Sequence, residues 1–458
     1  MSTPKDIPQE VIDQILDELY EIDPKSIISC STTSRAFLPR CQKHIFSSVS
    51  LGGVDLTAQD SKLLAKRCQT LNKSLRSNPL LPTLIDSLIF EVWTGDPPDN
   101  RLSDWIIKKK DAANLIYAST SVSTFILRFQ LPQAGVVPMW WSFNPALQNA
   151  IPHLLQNANR LLTLELGCFL LIPASVFTQL PSTLIELKLH WLSIDYSKSV
   201  EAAVKKAKRR ATSSPQSRPK LRILNVLQGW DVLNFLYYPY VIDCSALELF
   251  EFHPSHQIHM DLVADILKDA SGSLKELTCN LAYPGSSCHL MVSHFLINSP
   301  GDNLLPGPIE LGKLTSVQLM TFYINPDSAN TFSSLLSTIP PKNPIKFIQI
   351  NLRLESMDEW RTMSNHVLWS ELDKSFSKYS SIEYLTLRLI MVTVDSFFIA
   401  SGFFSDMRGT IPSWTRTLFA ESRNIQISLG LLNEGYPALK LWYSRPKNKS
   451  TFSYNSST

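Results

Sequence analysis

Glycine is the first shortage: 15 residues in 458, about 3% against a typical ~7%. So few glycines speak against a Gly-rich phosphate loop and against many tight hairpins. Neither sign of charge is in excess, with a formal net charge of +3. That balance supplies no long-range field to gather phosphates or acidic substrates over the whole surface. Long clean apolar runs are missing as well. The longest, Leu389 to Phe404, carries Asp395 and two serines and falls short of the ~20 residues of a membrane span. It reads as buried core. No C-x-x-C pair occurs among Cys30, Cys41, Cys68, Cys168, Cys244, Cys279 and Cys288, an odd set that reads as reduced thiols of the cytoplasm and/or nucleus. The opening MSTPKDIPQE has no apolar signal core, so secretion is not expected and the sequons at Asn72, Asn448 and Asn455 are chance matches.

What is present is apolar mass. With 44% apolar and 18% charged residues, the chain cannot be disordered throughout, and its length allows about three domains.

The first fifty residues are the most specific. Asp6 to Glu10 is a helix start, with Pro8 at the first helical position and Glu10 facing the positive end of the dipole. Val11, Ile12, Ile15, Leu16 and Leu19 are expected along one stripe, with Asp13, Gln14, Asp17 and Glu18 facing away. Asp23-Pro24 caps a second helix carrying Ile27, Ile28 and Cys30. Ser31 to Ser34 reads as a polar hinge, and Arg35 to Leu38 opens a third segment that kinks or restarts at Pro39. Helices this short bury little among themselves. Either they cap the next domain or a partner covers them.

The runs IPQEVIDQILDEL and DPKSIISCSTTSRAFLPRCQKHIFSSVSL resemble the F-box, in the form common in F-box proteins of mushroom-type fungi. The resemblance covers about 45 residues and implies a trihelical F-box over 1–48 that docks on the Skp-type adaptor of cullin-RING ubiquitin ligases. By position it implies adaptor-binding roles for Ile7, Pro8, Ile12, Ile15, Leu16, Leu19, Ile27, Ile28, Cys30 and Phe37. Ile7 stands where the family has Leu, and Thr32-Thr33 where it has a more apolar pair.

Behind this head the pattern L-x-x-L-x-L, with any large apolar residue allowed, begins at 85, 122, 161, 184, 221, 247, 274, 314, 345 and 382. About a dozen loose matches arise by chance at this composition, so the weight falls on their framing. Several follow a turn or polar residue, as in PSTLIELKL, RPKLRILNV, SGSLKELTC and YSSIEYLTL. Between them lie stretches of helical length such as Met260 to Ala270 and Trp360 to Phe376. The fold class expected is α/β: strand and helix alternating as an irregular leucine-rich-repeat solenoid, a horseshoe over 49–440. It resembles the partner domain often found behind this kind of F-box. An ordinary α/β domain with parallel strands is the alternative.

In a solenoid, residues flanking the second apolar site point toward the concave face. The target-binding candidates are Glu165, Glu186, Lys188, His190, Glu251, Glu276, Gln318, Asn351, Tyr384 and Arg388, with Glu91, Arg128, His253 and Asn280 on the same pattern. Acidic and basic residues are mixed there, which suits protein recognition and not a cationic groove. KKAKRR at Lys205 to Arg210 sits in a stretch, 197–220, read as a flexible insertion, either an exposed loop or a nuclear-import patch. The tail, 441–458, is expected to be disordered.

Tests for chemistry come out bare. His253-x-x-His256-x-x-His259 has zinc-like spacing but reads as a loop without cysteine, and Cys279, Cys288, His289 and His294 match no finger. No G-x-x-x-x-G-K-[ST], G-x-G-x-x-G, H-E-x-x-H or G-x-S-x-G occurs. Trp140-Trp141, Phe143 and Phe235 to Tyr240 lack the interleaved cations of a nucleic-acid platform and read as packing. The function expected is therefore non-enzymatic: the substrate-recognition subunit of an SCF-type ligase, with a Skp-type adaptor, a cullin behind it and a target protein as partners. No metal, cofactor, nucleic acid or membrane is expected. The alternatives are a repeat scaffold without a ligase role, nucleic-acid binding through KKAKRR, and a hydrolase with a dispersed site.

Overall fold

A computed structural model describes residues 7–52, 58–93, 103–130, 137–195, 199–213, 218–238, 241–254, 257–281, 314–325, 328–339, 341–354, 381–391, 426–433, 441–445 and 451–453, with 311, 359, 374 and 379. Three helices come first: α1 (Gln9–Ile22), α2 (Pro24–Thr33) and α3 (Leu38–Ser47). The Asp23 carboxylate caps α2, accepting from Lys25 N at 3.1 Å, and Pro24 takes the first helical position, where its missing N–H is not needed. Ser31, Thr32 and Thr33 belong to α2 and not to a hinge. Their hydroxyls donate to the carbonyls of Ile28, Ser29 and Cys30 at 2.6, 2.8 and 2.8 Å, closing the last turn. Pro39 lies in the first turn of α3, so the chain restarts there without a kink.

The chain divides into two compact units, Met1–Lys220 with Asp231–Asp243, and Leu221–Trp230 with Cys244–Thr458. In the first, α3 runs straight into β1 (Ser48–Gly52), which pairs in parallel with β2 (Ser87–Trp93). Then β3 (Thr124–Gln130), β4 (Thr163–Pro173) and β5 (Glu186–Asp195) follow in chain order, all parallel. Between the strands lie α4 (Ala58–Ser77), α5 (Leu81–Leu84), α6 (Asp104–Ile107), α7 (Asp111–Ala118), α8 (Pro145–Asn157) and two 3-10 turns, Trp140–Ser142 and Ala174–Gln179. After β5 comes α9 (Ser199–Ser213). Gly52, at φ +144, touches the next strand so closely that a Cβ would stand 1.7 Å from the Glu91 carbonyl oxygen.

The second unit repeats the plan. Parallel neighbours β6 (Ile223–Leu227), β7 (Leu249–His253), β8 (Glu276–Asn280), β9 (Leu319–Ile324), β10 (Phe347–Leu354), β11 (Tyr384–Met391) and β12 (Gln426–Asn433) run in chain order. Its described helices are α11 (Gln257–Asp269) and α12 (Ala329–Ser337), with α10 (Trp230–Tyr237) at the unit boundary. The protein is α/β, its strands open and parallel within each unit apart from the antiparallel pairings at the C-terminal edge.

One backbone device recurs. In the first unit the Asp86, Ser123 and Leu162 carbonyls each accept two successive N–H groups from the start of the following strand. In the second, the carbonyls of Arg222, Glu248, Lys275, Gln318 and Lys346 do the same. Immediately before each carbonyl stands a buried apolar residue: Ile85, Val122 and Leu161, then Leu221, Leu247, Leu274, Val317 and Ile345. Behind it, alternate strand residues bury on the helix side, as in Leu88-x-Phe90 and Phe125-x-Leu127, each contributing about 1.5–3 kcal/mol. Phe90 meets Phe125 edge-on at 6.4 Å, and Phe129 meets Phe169 at 6.0 Å.

Three expectations are corrected. The match beginning at 314 is three residues out of frame. Val317, Met320 and Phe322 are the buried set, while Leu319 lies on the other face, and Gln318 becomes the carbonyl residue before β9. The stretch 197–220 is not a flexible insertion where it is described. Residues 199–213 are helical because Ala203 is buried while Lys205, Lys206, Lys208 and Arg209 stay in solvent, an amphipathic division. The tail is not disordered throughout, since β13 (Leu441–Arg445) pairs antiparallel with β12, and β14 (Thr451–Ser453) with β13. Trp360 to Phe376 lies outside the described residues except for 374, and so do 214–217. Among the described residues no helix is long and apolar enough to cross a membrane.

The frame of β9 is testable by stability. Met320→Ala should cost about 2–5 kcal/mol in urea unfolding followed by circular dichroism, because it empties a closed site. Gln318→Ala should stay within about 0.5 kcal/mol, since only its backbone is used. The reverse order would restore the frame that begins at Leu314.

Candidate functional site

The head builds a core of its own from Leu16, Ile27 and Cys41, with Ile12, Leu19, Tyr20, Cys30, Phe37 and Ile45 packed against it. A carboxylate fixes the rotation of α1. Asp17 accepts from Arg40 Nε at 2.6 Å and meets His44 Nε2 at 2.8 Å, while Tyr20 stacks on the His44 ring at 4.5 Å. The Arg40 guanidinium lowers the Asp17 carboxyl to about 2, so this contact persists at any ordinary pH.

The ten head residues expected to face an adaptor therefore split. Leu16, Ile27, Ile12, Leu19, Cys30 and Phe37 belong to the internal core. Ile7, Pro8, Ile15 (56% exposed) and Ile28 (60% exposed) face out. Two residues missing from that expectation join them, Val11 and Ile22, the latter 83% exposed. The signal was in the spacing. Val11, Ile15 and Ile22 recur at i, i+4 and i+11, within ~40° of one another, while Ile12, Leu16 and Leu19 lie ~80–140° around the helix from Val11. One helix carries two apolar stripes.

The polar side of the first sheet forms rows across the strands. Arg128 joins the Glu91 carboxylate on β2 to Glu165 on β4, the latter at 3.1 Å from Nη1. Glu165 is buried, so the guanidinium between two carboxylates compensates its dehydration. In register, Gly167 separates Arg128 from His190. A Cβ there would press on Arg128 Cγ at 3.2 Å, and its absence lets the arginine stem cross. On β5, Glu186 accepts from Thr163 Oγ1 at 2.8 Å and pairs with Lys188 Nζ at 2.9 Å. Burial, then the charges of Arg128 and Lys188, push the His190 imidazole down to about 4, and its Nε2 is buried without a hydrogen bond. Past this row Cys168, Leu171 and Trp191 adopt φ of 61, 58 and 53, and the β4–β5 register shifts between Phe169 and Ile172. Nothing in the glycine-free sequence at those positions signals the bulge.

The second sheet has three outward rows. Ile223, Leu249, Glu276, Leu319, Phe347 and Tyr384 form the first. Asn225, Glu251, Thr278, Thr321, Gln349 and Thr386 form the next, with Asn225 Nδ2 donating to Glu251 at 2.6 Å. The third includes Asn280, Tyr323 and Asn351 and reaches Arg388, whose side chain lies outside the description. Of the residues expected here, Glu251, Glu276, Asn351 and Tyr384 share this face, and Gln318 does not. Phe347 and Tyr384 stack at 5.0 Å with their planes 6° apart, both exposed.

No protein-family model matches the chain, and no curated protein matches it.

The histidine motif is not a loop cluster. His253 is buried at the end of β7, and His259 on α11 stacks on Trp230 at 4.7 Å, whose Nε1 donates to the His253 carbonyl at 2.7 Å. His256, Cys288, His289 and His294 lie outside the described residues. Among the described residues, no three His, Cys, Asp or Glu stand where they could hold a metal ion. Burial raises the Cys68 thiol to about 12 and also raises that of Cys279, which keeps both protonated. What the two sheet faces and the head offer is non-covalent contact: apolar stripes, carboxylates, hydroxyls and carboxamides.

His190 gives a pH signature. The unfolded chain protonates this imidazole near pH 6.5, whereas the folded protein resists until about pH 4. The unfolded state thus binds more protons between those values, so stability should fall as pH drops from 6.5 to 4. The loss attributable to His190 should be on the order of 1–2 kcal/mol. In urea titrations at several pH values, His190→Gln should flatten that slope; an unchanged slope would place the imidazole in contact with solvent.

Proposed function

We propose that the protein is the substrate-recognition subunit of an SCF-type ubiquitin ligase, an F-box head joined to an irregular leucine-rich-repeat solenoid. The observation that carries this reading is the second apolar stripe of α1. Val11, Ile15 and Ile22, with Ile28 of α2, are left in water by a head whose core is already closed around Leu16, Ile27 and Cys41. Exposed apolar surface on a small module suits a partner. The resemblance of residues 7–46 to the F-box makes that partner a Skp-type adaptor, with a cullin beyond it.

The repeat reading rests on the recurring buried residue, paired carbonyl and outward polar rows of both sheets. Such rows would hold a target protein, and its ubiquitination would follow from proximity to the ligase's charged carrier. This chain would supply no nucleophile. A cytoplasmic or nuclear setting fits the reduced thiols. The competing reading, a scaffold whose helices only cap the repeats, draws on one feature: α3 enters β1 with no linker, and the Ser47 carbonyl accepts from Asp86 N at 2.9 Å.

Adaptor capture separates the two. Ile15→Asp combined with Ile28→Asp should leave circular dichroism and melting unchanged, because both sites face water in the free protein. Binding to a purified Skp-type adaptor should fall by more than ~100-fold, since each carboxylate would be dehydrated without a partner. Leu16→Asp, inside the core, should instead unfold the head. If the double variant binds the adaptor as the native chain does, or the native chain does not bind it, the ligase reading fails and the scaffold remains.

A further inference from the structure

The outward face of the second sheet is uneven in a way that describes its ligand. Its first two rows, followed from β6 to β12, contain two carboxylates, Glu251 and Glu276, and no lysine or arginine. The cations nearest in sequence are turned to other work: Arg222 and Lys275 both hold Glu248, at 2.7 and 2.8 Å. Glu276 is exposed and meets no cation among the described residues. On the same row, two strands away, stands the exposed Phe347–Tyr384 stack.

We infer that this face binds an extended segment of a protein target carrying a basic side chain and, about three residues away, a large apolar one. Glu276 receives the cation, and the Phe347–Tyr384 stack receives the apolar side chain. The spacing comes from the sheet. Strands lie ~4.8 Å apart, so Glu276 and Phe347 are separated by ~10 Å, which an extended chain covers in about three residues at ~3.3 Å each. An acidic segment would meet Glu276 with like charge, which makes the face selective as well as attractive. The inference rests on the sheet being the target-binding part of the receptor proposed above, and it specifies the chemistry of that target.

The test uses the full chain and fluorescein-labelled peptides of roughly twelve residues, Ser/Gly-rich apart from one Arg-Ser-Ser-Leu core, read by anisotropy. Controls replace Arg by Glu, replace Leu by Ser, or bring Arg and Leu adjacent. The Arg-Ser-Ser-Leu peptide should bind at least tenfold more tightly than each control. Glu276→Lys should reverse the preference in favour of the Glu-Ser-Ser-Leu peptide, and Tyr384→Ser should abolish the difference between Leu and Ser. Circular dichroism of both variants should match the native chain; should either fail to fold, the peptide controls on the native chain decide alone. Equal binding of the Arg and Glu peptides, absence of binding up to about 1 mM, or a folded Glu276→Lys variant without the reversal would overturn the inference. Adaptor capture is read on the same preparations. Peptide preference without adaptor binding sinks only the ligase reading, and adaptor binding without peptide preference sinks only this one.

Discussion

The constraint on which the rest depends is the pair of N–H groups that one carbonyl accepts at the start of eight of the strands. Because the Glu248 carbonyl takes both Lys275 and Glu276 N–H, and the Lys275 carbonyl both Gln318 and Leu319 N–H, β7, β8 and β9 cannot slide past one another. A slip of one residue would exchange the buried and outward sets and place Thr278 or Thr321 in the core. Register then decides function. Glu276 and the Phe347–Tyr384 stack share a row only because each strand begins at the same backbone position. The side chains proposed to meet a target are thus placed by hydrogen bonds in which no side chain takes part.

Fixing the rows in this way has an electrostatic consequence that differs between the two sheets. In the first, Arg128 satisfies Glu91 and Glu165 internally and Lys188 satisfies Glu186, so the face is largely self-neutralising. The low pKa of His190 comes first from burial, and the same balance adds to it, since a further positive charge beside Arg128 and Lys188 would be repelled. In the second, the ionic triad of Arg222, Glu248 and Lys275 sits one residue before the outward rows, leaving Glu276 to the solvent. Mixed charge in composition therefore does not mean mixed charge at each place.

Much of the α/β alternation was legible because a buried strand face repeats every second residue and leaves the same mark in each repeat. At β9 two frames fit the same template, Leu314-x-x-Val317-x-Leu319 and Val317-x-x-Met320-x-Phe322, and apolarity alone does not choose between them. The backbone ladder chooses, and it is invisible in the sequence. The head misled for a related reason. Val11, Ile12, Ile15, Leu16 and Leu19 span too wide an arc for one stripe, and counting their apolar character merged an inner face with an outer one. The stack of His259 on Trp230, and the bulge at Cys168 and Trp191, depend on neighbours distant in the chain and carry no local sign.

Two apolar stripes on one helix raise the question of what stops α1 from turning its outer side inward. The inner side would gain nothing from the exchange, because Ile15 and Ile22 are as apolar as Ile12 and Leu16. Polar contacts make the distinction. Asp17 reaches Arg40 and His44 on α3 only while Leu16 points at Ile27 and Cys41. Rotating α1 by the ~100° of one residue would pull Asp17 from both partners and leave Arg40 beside an apolar surface. An exposed ion pair alone is worth little, about 0–1 kcal/mol, yet here it needs only to choose between two packings of similar apolar content. That choice leaves Val11, Ile15 and Ile22 outside, each forgoing on the order of 1.5–3 kcal/mol of burial. A bound partner would return it.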